Sequence, residues 1–153
     1  MKHNFDTDYD FEIVCDGGCH GQGTYQEKTT YGSWRIRSKW RPAKLFPIVE
    51  FDKMYTTSNQ AEYLTLIASV EYLIGKIHEA HQKPSSFSLL VKTDSQLIVG
   101  HFGFIPKQKV PWRCKNPKLA ELKRQATSLL EQFGKYCILK VDGTSYVKQV
   151  LGH

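Results

Sequence analysis

The stretch Thr57–Gln96, TSNQAEYLTLIASVEYLIGKIHEAHQKPSSFSLLVKTDSQ, decides how this chain folds. Between Asn59 and Glu79 the apolar residues fall at Tyr63, Leu66, Ile67, Val70, Leu73, Ile74 and Ile77. Steps of three and four predict a helix with one buried stripe. Thr57 offers a capping hydroxyl, and Gln60 stands three residues on, the spacing of a capping box. HQKPSS stops the helix. FSLLVKT (Phe87–Thr93) then reads as a strand that halts at Asp94, with a short helix over Gln96–Phe102. Helical crossovers on both sides of this strand imply parallel pairing with the first strand.

Upstream, YDFEIVC (Tyr9–Cys15) alternates and is rich in strand formers, then meets DGGCHGQG, which reads as a glycine-rich turn. YGSWRIR (Tyr31–Arg37) is a second strand, and a third runs over Leu45–Phe51, where Pro47 marks an edge or irregular strand. Short polar connections make these three an antiparallel meander. Downstream, residues 103–115 are irregular, basic and broken by prolines. A second long helix spans Pro117–Phe133, with its stripe at Leu119, Leu122, Ala126, Leu129, Leu130 and Phe133. YCILKV (Tyr136–Val141) is a fifth strand, and a short helix covers Ser145–Leu151. The expectation is an α/β fold in one domain over residues 1–153. It has a five-stranded mixed sheet, three antiparallel strands then two parallel, flanked by helices.

The chain has 153 residues, 41% hydrophobic and 24% charged, which fits a globular protein and excludes collagen-like, coiled-coil and wholly disordered classes. No apolar run approaches the ~20 residues that cross a bilayer, and MKHNFDTDYD has no apolar stretch of a signal peptide. A cytoplasmic, monomeric protein with no membrane partner is expected. Lys and Arg number 21 against 15 Asp and Glu, for a net charge of +6. Much of the surplus lies in Lys107, Lys109, Arg113, Lys115, Lys118, Lys123 and Arg124, opposed there only by Glu121. Such a segment suits a polyanion. The cysteines Cys15, Cys19, Cys114 and Cys137 form no CxxC pair and read as reduced thiols rather than a zinc site.

Three carboxylates sit where a bland core would not put them. Asp16 ends the first strand, Asp94 ends the fourth, and Glu62 lies in the first turn of the long helix, beside its buried stripe. If those strands are parallel neighbours, Asp16 and Asp94 stand side by side at the carboxyl edge of the sheet, where such folds place ligands. Glu62 reaches the same spot. Clustered carboxylates repel unless protonated or bridged by a cation, and all-oxygen ligation suits magnesium or manganese.

CDGG (Cys15–Gly18), TSNQAEY (Thr57–Tyr63) and TDSQLIV (Thr93–Val99) resemble the three signature segments of the ribonuclease H family, in order, element type and spacing. The resemblance spans residues 9–141. It implies that Asp16, Glu62 and Asp94 hold two Mg2+ or Mn2+ ions. It also implies that Asn59 and Gln96, with Ser58, Gly17 and Gly18, meet the substrate. Ser58 stands where the family has a second asparagine, and Gly18 where it has a serine.

The family places a histidine-bearing loop after the fifth strand, then an aspartate opening a final helix. Here Asp142 follows Val141 directly and His153 comes twelve residues after Val141, so His153 better fits the distance of the fourth ligand, with Asp142 as the alternative. The activity implied is cleavage of the RNA strand of an RNA–DNA hybrid with 5′-phosphate and 3′-hydroxyl products. RNA would be selected by contacts to its 2′-hydroxyls. A nuclease of the same fold acting on DNA or junctions, and a non-catalytic nucleic-acid-binding module, are the alternatives. Trp34 and Trp112 read as scaffold rather than as stacking platforms.

Overall fold

The computed structural model describes residues 8–21, 25 and 27–152. Among these, six strands form one sheet: β1 (Phe11–His20), β2 (Thr29–Ser38), β3 (Lys44–Leu45), β4 (Val49–Glu50), β5 (Ser88–Thr93) and β6 (Lys135–Lys140). The order is β3-β2-β1-β5-β6, with β4 also paired to β2. β1 runs antiparallel to β2 and parallel to β5, and β5 runs parallel to β6. This is the mixed α/β sheet expected. Its third strand is broken in two, because Pro47 lies between the pieces and cannot donate to a ladder.

The helices are α1 (Ser58–Glu79), α2 (Gln96–His101), α3 (Pro117–Leu130) and, after a turn at Gly143–Val147, α4 (Lys148–Leu151). Thr57 caps α1 in a full capping box with Gln60. All seven stripe residues of α1 are buried, against Ile13, Cys15 and Val91 of the sheet and Leu122, Ala126 and Leu130 of α3. The opposite face of the sheet carries Val14, covered by Tyr146, Val147 and Leu151 of the terminal segment.

One strand departs from expectation. β1 does not stop at Asp16 but continues through the two glycines to His20, pairing Gly17 with Gly32 and Gly18 with Tyr31. The glycines serve close approach rather than a turn. A Cβ on Gly17 would lie 2.5 Å from the Ala61 carbonyl of α1, and one on Gly18 would lie 2.5 Å from the Tyr31 hydroxyl.

The second face is fixed by charge. Glu12 is 1% exposed. Its carboxylate meets Arg35 at 3.1 Å, Arg37 at 3.2 Å and Lys92 at 2.9 Å. Lys92 also donates to the Tyr146 hydroxyl at 2.9 Å, which ties the terminal segment down onto the sheet. A buried ion this well partnered specifies position more than it adds stability.

Candidate metal centre

The parallel pairing of β1 with β5 ends at Val14 opposite Lys92. Two residues beyond each, Asp16 and Asp94 leave the sheet at one edge, on the same side because side chains repeat every two residues. Glu62 comes from the first turns of α1 and is fixed by its neighbour: the Gly17 N–H donates to Glu62 Oε1 at 2.7 Å. The missing side chain at Gly17 permits that approach. One oxygen from each of Asp16, Glu62 and Asp94 lies within 4.8 Å of the others.

Electrostatics record the strain. Glu62 is 8% exposed. Burial, then the Asp94 charge, push its pKa up to about 9, against the opposing pull of the Gly17 N–H. Burial and the Asp94 charge raise Asp16 to about 7. The Cys15 thiol, buried beneath the trio, is also pushed up, by burial and then by the three carboxylates. Three converging carboxylate oxygens, with Asp16 and Glu62 driven toward protonation by their surroundings, make a donor set that fits a hard divalent ion. Among the described residues no other group of three or more His, Cys, Asp or Glu side chains converges in this way, and no cysteine joins this one.

Around the trio, Ser58 and Asn59 are exposed at the start of α1, one turn before Glu62, and Gln96 is exposed at the start of α2. Ser95 caps α2 by accepting from the Ile98 N–H. The terminal segment closes the far side: a Cβ on Gly143 would lie 2.3 Å from Asp94 Oδ2. Asp142, next to it, stands outside the trio. Its Oδ1 accepts from the N–H groups of Thr144 and Ser145 and from the Thr144 hydroxyl, holding its pKa down at about 2. His153 lies outside the described residues.

The sequence reading missed Tyr31. Its ring lies over Gly18 and stacks on His20 at 4.6 Å, and burial with the charges of Asp16, Cys19 and Glu62 raises its hydroxyl pKa. A bare glycine opposite an aromatic residue is the signal, but it is visible only once the hairpin register is known. Trp34 is 7% exposed and stacks on Phe46 in the core. Trp112 packs on Gly100 of α2, so neither contradicts a scaffold role.

Solved structures are similar to this fold over most of the chain. Ribonuclease H1 from Halobacterium salinarum is 21% identical over 92% of both chains, with a TM-score of 0.63. LC11-RNase H1, from compost and solved with an RNA/DNA hybrid, is 18% identical over 92% of both chains, with a TM-score of 0.66. The chain has the ribonuclease H-like fold. The N-terminal RNase H domain of a Mycobacterium tuberculosis protein agrees, at 21% identity, 92% and 91% coverage and a TM-score of 0.64. No protein-family model and no curated protein sequence matches the chain. In this ribonuclease H-like chain the acidic cluster sits at the carboxyl edge of the two central parallel strands, an arrangement consistent with a metal-dependent nuclease site. No helix among the described residues is long and apolar enough to cross a membrane.

Proposed function

We propose that this chain is a divalent-metal-dependent endonuclease that hydrolyses the RNA strand of RNA–DNA hybrids, leaving 5′-phosphate and 3′-hydroxyl ends. The observation that carries the reading is the convergence of Asp16, Glu62 and Asp94 oxygens within 4.8 Å at one sheet edge. The likeness to a fold solved with an RNA/DNA hybrid supports the choice of substrate.

Asp16, Glu62 and Asp94 would hold two Mg2+ or Mn2+ ions. Such ions, when bound, supply charge stabilisation to both the attacking and the leaving oxygen of a phosphodiester. The chain's own work is positional. The Gly17 N–H orients the buried Glu62, while Asp16 and Asp94, half-buried, keep their oxygens open to a ligand at the sheet edge. Asn59 and Gln96, with Ser58, Gly17 and Gly18, would contact the ribose and backbone of the RNA strand, reading its 2′-hydroxyls. His153 is the proposed fourth ligand, with Asp142 as the alternative. The six cations Lys107, Lys109, Arg113, Lys115, Lys118 and Lys123 have no carboxylate in ion-pair range among the described residues, so they remain available for phosphates. We place the enzyme in the cytoplasm as a monomer.

The test is a cleavage panel of RNA–DNA hybrid, duplex RNA, duplex DNA and branched DNA, each with Mg2+ and with Mn2+. Cutting confined to the RNA strand of the hybrid is expected. Cutting of DNA regardless of ribose content would replace this reading with a DNA nuclease. Binding without cutting would replace it with a non-catalytic module.

A further inference from the structure

At the end of the sheet away from the carboxylates lies a cleft of about 800 Å³, between the residues just after β2, strand β3 and the last turns of α1. Phe11, the first residue of β1, lines it, and Asp16 is five residues further along that strand. At ~3.3 Å per residue the two ends are about 17 Å apart, so an occupant here does not touch the acidic cluster.

The floor is aromatic. Phe11, Trp40 and Phe87 pack edge to face, with centroids 5.8, 5.2 and 5.7 Å apart. Trp40 is nevertheless 60% exposed, although two rings hold it in place. A large side chain fixed in this way and turned to water is an anchor surface rather than core. The cleft is bordered by β3, the edge strand of the sheet, and such a border suits an extended ligand.

The rim is cationic. Lys44 sits over the rings of Phe46 and Tyr72 at 5.1 and 5.3 Å and donates to the Tyr72 hydroxyl at 2.9 Å. Its ammonium is thereby placed at the cleft with donors to spare. Arg41, also lining the cleft, has no carboxylate in ion-pair range among the described residues. Lys76 lies 5.6 Å from the centre of the Tyr72 ring and pairs with Glu79 at 3.3 Å, the one acid in the lining. Aromatic floor and unbalanced positive rim define the complement: an apolar side chain with carboxylates beside it.

We infer that this cleft is a docking site for a partner protein's extended peptide segment, in which a bulky apolar residue is flanked by aspartates or glutamates. The apolar residue packs on Trp40 and the carboxylates meet Arg41, Lys44 and Lys76.

The test selects a displayed library of random 12-residue peptides on the full chain, then measures the best clone as a synthetic peptide by fluorescence anisotropy. Enriched clones are expected to carry an aromatic or large aliphatic residue between acids. Their affinity should fall roughly 10- to 30-fold in Trp40→Ala, the range for losing one anchor. It should fall comparably in the Arg41→Glu/Lys44→Glu double variant, whose changes lie on exposed residues and leave the core alone. Hybrid cleavage by both variants should stay unchanged. No enrichment over bare support, enrichment without acids, or equal binding to the variants overturns the proposal. So does competition by a hybrid oligonucleotide, which would make the cleft a nucleic-acid contact.

Discussion

Replacing Glu62 with glutamine should stabilise the metal-free protein near pH 8 and abolish its stabilisation by magnesium. The change keeps shape and keeps an oxygen to accept from the Gly17 N–H, which now spans 2.7 Å to Oε1. It removes one charge from a trio whose oxygens lie within 4.8 Å of one another. At that separation and an effective dielectric near 20, one like-charge contact costs about 3.5 kcal/mol. Partial relief by protonation and solvent leaves about 2 kcal/mol. For a chain of this size that corresponds to a rise in Tm of roughly 4–8 °C.

The pH dependence has a definite sign. The folded pKa of Glu62 is raised to about 9 from an ordinary value of 4.5. Between these values the folded state binds more protons than the unfolded one, so stability is lost as pH rises through this window and is fullest at its acid end. The gap between variant and parent should therefore be largest near pH 8 in EDTA and should close near pH 5. Magnesium should raise the parent's Tm, and more so at pH 8 because it competes with protons, while leaving the variant little changed. The assay is thermal unfolding followed by circular dichroism. A variant no more stable than the parent near pH 8 in EDTA, or one that responds to magnesium as the parent does, would show that Glu62 carries no repulsive charge for a cation to relieve.

Further outcomes are expected at other positions. Asp16→Asn should reduce hybrid cleavage by at least about a thousandfold with affinity within about threefold, checked by single-turnover kinetics and anisotropy, because the lost charge serves the reaction more than the grip. Neutralising Lys107, Lys109 and Lys115 together should weaken hybrid binding and lower the slope of log affinity against log salt by about 2–3, read from a salt titration. Gly17→Ala places a methyl group 2.5 Å from the Ala61 carbonyl, so α1 must shift. Unfolding should show a loss of about 1–3 kcal/mol, and cleavage should fall with it.

Much of the site was legible because its signals are local. The Thr57–Gln60 capping box and the stripe from Tyr63 to Ile77 both stand in the structure, and they fix where Glu62 enters. The parallel pairing of β1 with β5 followed from the helical connections, and with it the meeting of Asp16 and Asp94. What the sequence hid depends on distant partners. Gly17 and Gly18 look like a turn until Gly32 and Tyr31 are placed opposite them. Glu12 in YDFEIVC suggests a wet position, yet it is 1% exposed because Arg35, Arg37 and Lys92 gather round it from two other strands. Asp142 reads from its place after the fifth strand as the alternative fourth ligand, and its three hydrogen bonds to Thr144 and Ser145, which spacing did not show, cap the turn that follows.

The most direct trial of the account is anomalous diffraction from crystals soaked in manganese. Density for the metal between the carboxylates of Asp16, Glu62 and Asp94 is the predicted result. Manganese bound elsewhere on the protein, with that space holding only solvent, would contradict it.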